Sequence, residues 1–148
     1  IGKMLLLMVI LTLLLDQVIK QIILENFYLG ESFPLIKNIF HITYVKNTGA
    51  AFGILQNQTR LFSILSILII ILLLYLRKEY LEKKLLIDVS LGLIIGGALG
   101  NFIDRIWLGF VVDYIDLQIW PVFNLADSAV VIGSILMTVY IWNSELEI

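Results

Sequence analysis

The sequence predicts an all-α membrane protein: a four-transmembrane-helix bundle with a small extracytoplasmic β-sheet and a short outer helix. Three observations lead there. Of 148 residues, 60% are hydrophobic and only 15% charged, with a mean hydropathy of +0.99; a soluble domain is nearer half apolar and a quarter charged. The apolar residues gather into four runs, each near the roughly 20 residues a helix needs to cross hydrocarbon. No run shows the period-two alternation of a membrane barrel, and lipid admits no third solution. The length suits one unit over 1–148 rather than two domains.

The first span is read at about 4–24. Its apolar stretch runs on through Val18, Ile19 and Ile22 without an A-x-A-like site, so it is read as an uncleaved helix. "IKNIFHITYVKN" follows, rich in β-branched and aromatic residues that favour short strands. In "NTGAAFGIL", Gly49 and Gly53 suggest a turn and a short, half-apolar helix against the interface. The second span is read at about 61–76 and the third at about 85–102. Gly92, Gly96 and Gly100 recur every four residues on one face of the third span, and small residues let helices approach closely in lipid. Ala129 and Gly133 echo them on the fourth span, about 128–142, so these two spans are expected to bring their outer ends together. Between them "VVDYIDLQIWPVFN" offers one or two more strands, with Pro34 and Pro121 at the sheet edges.

Lys and Arg near span ends set orientation. The connector "RKEYLEKK" is therefore expected to be cytoplasmic, with Lys3 and both termini on its side. The loops 25–60 and 104–123 then face outward. A net charge of −2 argues against a nucleic-acid footprint. There is no Cys, and His41 is the only His, which removes thiolate chemistry and multi-His metal sites.

The acids at the outer level remain. The third span closes with Asn101, Asp104 and Arg105; the loop carries Asp113 and Asp116; Asn124 and Asp127 open the fourth span. Each Asn-x-x-Asp puts both side chains on one helix face. A structural reading makes Asn124 an N-cap with Asp127 at the third helical position, and Asp104 half of an interfacial ion pair. A functional reading makes two carboxylates share a proton, one acting as base and the other as acid. Spacing alone does not say which two. A transporter relaying protons through Asp16, Lys20 and Asp127 is an alternative, as is a phosphotransferase holding Mg²⁺ on several Asp.

Five motifs in order, "DQVIK", "KNTGAAFGIL", "GGALGNFIDR", "VVDYID" and "FNLADS", resemble those of the lipoprotein signal peptidases (signal peptidase II). The resemblance covers nearly the whole chain. It implies four membrane helices with an outer β-cradle and a short outer helix. It implies an aspartyl endopeptidase that needs no metal or cofactor, with Asp113 and Asp127 as the catalytic pair. Asn101, Arg105 and Asn124 match residues lining the site, and Asn47 one that meets substrate from the outer loop. Asp16 and Lys20 match a polar pair that can form an ion pair below the site, and Asp104 a residue supporting local geometry. Asp116 lies outside the matched core and is expected to be solvated; Asp88 is expected to be partly exposed near the cytoplasmic side. The implied substrate is a bilayer-embedded prolipoprotein, cut before a diacylglyceryl-modified Cys at the outer face of the bacterial cytoplasmic membrane. Globomycin-type cyclic peptides are the implied inhibitors. The 48–54 segment is expected to close over the pair as a lid, with Phe52 as its apolar anchor and Arg105 holding substrate carbonyls.

Overall fold

The computed structural model describes residues 2–49, 55–79 and 84–145. In chain order it contains α1 (Lys3–Asn26), β1 (Ser32–Ile36), β2 (Phe40–Asn47), α2 (Thr59–Glu79), α3 (Leu85–Trp107), β3 (Val111–Asp116) and α4 (Leu125–Glu145). All four helices are long and apolar enough to cross a bilayer. Each outruns its predicted span. The hydropathic edge of the third span at 102 is not its structural end, because Asp104 and Arg105 continue the helix to Trp107. Likewise α4 begins at Leu125 rather than 128, which puts Asp127 in its first turn. Polar residues with internal partners need not end a membrane helix.

The axis of the bundle is α3, which packs against the other three helices. Of its spanning segment 56% is buried, against 11% for α2. The glycine stripe explains one side of it, but not the side expected. A methyl group on Gly92, Gly96 or Gly100 would run into Met8, Thr12 or the Asp16 carboxylate, all on α1. Contact with α4 is made instead by Gly97, over the Ala126 carbonyl, and by Gly133, over the Ser90 carbonyl. One residue along a helix is a turn of about 100°, so Gly97 faces a different neighbour from Gly96.

Leu5, Ile70, Ile87, Leu91 and Ile95 form the core near the α2–α3 connector. There Asp88 is buried, contrary to expectation, and accepts hydrogen bonds from Arg77 Nη2 at 2.6 Å and Nε at 2.9 Å. A guanidinium fork from the end of α2 removes the cost that would otherwise push this carboxylate to the surface.

At the opposite end an antiparallel sheet, ordered β1-β2-β3, sits on a second core of Ile23, Tyr44, Val112 and Tyr114. Strand β1 is exposed throughout and forms an edge, where Pro34 is tolerated. Past β3, the loop holding Pro121 contributes no further strand, only a bridge from Phe123 to Ile115. Register sets Val45 opposite Asp113 and Asn47 opposite Val111. The short outer helix and Phe52 fall on 50–54, outside the described residues; Asn57 N–H donates to Thr48 Oγ1 at 3.2 Å across the base of that segment.

Candidate active site

The site is assembled around the first turn of α4. A helix start leaves backbone N–H groups without intrahelical partners, and at this depth they need partners from the protein. Leu125 N–H donates to the Tyr114 hydroxyl of β3 at 3.1 Å. Ala126 N–H donates to Asp16 Oδ1 of α1 at 3.0 Å. Asp127 N–H donates to Asn124 Oδ1 at 2.8 Å, and Asn124 N–H returns to Asp127 Oδ2 at 3.2 Å. This reciprocal cap is the arrangement expected on structural grounds. It holds Asp127 by one oxygen and aims the other into the bundle.

That second oxygen, Oδ1, accepts from Asn101 Nδ2 at 2.7 Å. Asp113, 1% exposed on β3, accepts from Asn124 Nδ2 at 2.7 Å through Oδ1 and from Asn47 Nδ2 at 2.9 Å through Oδ2. Asn124 and Asn101 touch each other at 3.0 Å, so a chain of two amides joins the two acids. The orientation of every amide is fixed by its oxygen. Asn47 Oδ1 accepts Gly49 N–H, Asn124 Oδ1 accepts Asp127 N–H, and Asn101 Oδ1 accepts Lys20 Nζ at 2.9 Å. Each therefore presents only N–H to a carboxylate.

Lys20 and its partners form the floor. Its ammonium pairs with Asp16 at 2.8 Å and Asp104 at 2.9 Å, all three groups buried. Asp104 thus finds Lys20 rather than its chain neighbour Arg105. Its Oδ2 also accepts Val112 N–H at 3.0 Å, while Asn124 Nδ2 reaches the Val112 carbonyl at 3.3 Å. These two bonds cap the free edge of β3 beside Asp113. Gln17, which the sequence reading did not single out, donates to Asp104 Oδ1 at 3.0 Å and to the Gly100 carbonyl at 3.3 Å. Tyr114 was missed as well; an aromatic one residue beyond an acid in a strand is an ordinary core pattern.

The electrostatics separate Asp113 from an ordinary surface acid. Burial pushes its carboxyl up to about 7; the nearby Asp127 carboxylate adds to the rise, and the Asn47 and Asn124 amides oppose it. Arg105 stands apart from the carboxylates' hydrogen bonds. Its Nη1 reaches only the Asn101 carbonyl at 3.4 Å, its guanidinium lies 5.4 Å from the Phe62 ring, and its buried Nε has no hydrogen-bond partner among the described residues. Asp116, expected to be solvated, is half-buried and accepts from Thr43 Oγ1 at 2.7 Å on the sheet, away from this network.

The arrangement has known counterparts. The family profile described as signal peptidase (SPase) II matches residues 8–143. A lipoprotein signal peptidase of Halothermothrix orenii is 51% identical over 138 residues, covering 93% of this chain and 94% of its own. Another, of Moorella thermoacetica, is 48% identical over 132 residues, covering 89% and 88%. A solved structure described as "Bacterial membrane enzyme structure by the in meso method at 2.3 A resolution" superposes with a TM-score of 0.90 at 39% identity, over 95% of this chain and 88% of that one. A second bacterial membrane enzyme gives 0.84 at 40% identity, over 93% and 91%. With a profile spanning most of the chain and relatives near half identical along their lengths, the chain belongs to the signal peptidase II family.

Proposed function

We propose that this chain is an aspartyl endopeptidase that removes the signal peptide from prolipoproteins. The cut falls before the Cys carrying the diacylglyceryl group, at the outer face of the bacterial cytoplasmic membrane. The observation that carries the reading is the pair Asp113 and Asp127. They are joined through Asn124 and Asn101, and among the described residues neither carboxylate is hydrogen-bonded by a cation. Two such groups share one proton in preference to ionising together. The ionised acid takes a proton from water as the oxygen attacks the scissile carbonyl, and the protonated acid gives its proton to the carbonyl oxygen. In the tetrahedral adduct the first acid, now protonated, delivers its proton to the departing amine. A hydroxyl proton of the adduct returns to the second acid as the C–N bond breaks, and the starting state is restored. Asn47 and Arg105 flank the pair with donors suited to the substrate backbone.

Asp16 and Asp104 serve as support: the Lys20 ammonium fills the place between them that a bridging cation would take. The proton-relay reading lacks a ladder. Asp16, Lys20 and Asp127 all lie at the sheet end of the bundle, and Asp88 at the other is paired with Arg77.

Cleavage of a diacylglyceryl-modified precursor by purified protein in lipid tests the reading. Wild type cuts in the presence of EDTA, and Asp113→Asn and Asp127→Asn each lose at least about 10²-fold in kcat. Near-wild-type cleavage by either variant overturns it, as does chelator-sensitive activity restored by Mg²⁺.

A further inference from the structure

We propose that Lys20 is a positioning residue that assigns the shared proton: acting through the Asn101 amide, it keeps Asp127 ionised as the base and leaves the proton on Asp113. The inference rests on the aspartyl reading above and adds to it a direction.

The two acids are held unequally. Lys20 is 2% exposed and commits its hydrogens to Asp16, Asp104 and Asn101 Oδ1. The Asn101 oxygen also accepts Asn124 Nδ2, so its amide is polarised by two donors, one of them charged. Polarisation passes along such chains and strengthens the next bond, here Asn101 Nδ2 to Asp127 Oδ1 at 2.7 Å. The other oxygen of Asp127 takes a backbone N–H at a helix N-terminus, where the dipole favours negative charge. Asp113 has neither support. It sits on a strand, and the charged group nearest along its hydrogen bonds lies two amides away. Of its two donors, Asn124 Nδ2 has two hydrogens to divide among Asp113, Asn101 and the Val112 carbonyl.

The acid limb of the kcat/KM pH profile reads ionisation of the base. In Lys20→Met that limb moves up by about one pH unit, with kcat falling more than KM changes, and Lys20→Arg brings it back. Asn101→Ala produces an upward shift of its own, and adding Lys20→Met to it moves the limb no further, because the connection is already cut. Lys20→Met/Asp16→Asn removes the ammonium together with one carboxylate it pairs, and is read the same way if the single variant does not fold. The inference is overturned if the acid limb of folded Lys20→Met, or of Lys20→Met/Asp16→Asn in its place, coincides with wild type, or if Lys20→Met shifts the limb equally with and without Asn101. Retained activity in Asp113→Asn or Asp127→Asn would instead remove the dyad reading beneath it.

Discussion

The two ends of the bundle both bury acids, and they do so differently. Near the α2–α3 connector Asp88 is met directly by the Arg77 guanidinium, two nitrogens on one oxygen. At the sheet end Asp16 and Asp104 are likewise met directly, by Lys20. Asp113 and Asp127, a few ångströms further along the same network, receive only neutral N–H donors among the described residues. A buried carboxylate bonded directly to a cation has its charge matched on the spot and serves the fold. One bonded to amides, with another acid beside it, is balanced between charged and neutral forms. That balance is what proton-transfer chemistry requires. The contrast separates Asp113 from acids of similar burial that composition alone treats as its equals.

If the contrast holds, disturbing the floor of the site costs activity, while disturbing the far end costs only stability. Gly100→Val has the larger effect. Its side chain would displace the Asp16 carboxylate, which holds Ala126 N–H and so the first turn of α4. A shift of that turn by about 1 Å lowers kcat by about 10²-fold, measured on folded protein with the modified precursor. Unchanged turnover would mean that the turn is positioned by Asn124 and Tyr114 alone. Asp88→Ala, by contrast, breaks a buried pair and leaves a charge behind, at about 3 kcal/mol of stability by denaturant unfolding. Its turnover per folded molecule stays at the wild-type level. A loss of kcat there would show that the ends are coupled and the comparison is too simple.

Much of this was legible in the residues. Four apolar runs gave four helices, since hydrophobic length is a direct requirement of the bilayer. The "IKNIFHITYVKN" and "VVDYID" stretches became β2 and β3, and the Asp16–Lys20 spacing became an ion pair. Hydropathy failed at the helix ends beside the sheet, because Asp104 and Asp127 are polar residues inside helices, paid for by partners distant in sequence. The same reason hid Asp88, whose partner Arg77 was counted only as an orientation signal. Glycine spacing identified a close face but not its neighbour, which depends on how the bundle closes. Asn47, expected to reach the site from a loop, sits at the end of β2 and bonds Asp113, a consequence of register that no local pattern contains.

The central claim is that Asp113, buried among amides, holds a proton near neutral pH. Thermal unfolding of wild type and Asp113→Asn across pH tests it without reference to substrate. Its folded carboxyl titrates near 7, against 3.8 for the free group. Between those values the native state binds the extra proton, so wild type loses stability as pH rises toward 7. An amide in its place does not titrate. The account predicts similar melting temperatures for the two proteins below about pH 4, and a gap opening in favour of Asp113→Asn that is complete above about pH 7. If wild type instead gains stability relative to Asp113→Asn as the pH rises, Asp113 is a stabilised carboxylate, and the distinction between the two kinds of buried acid fails.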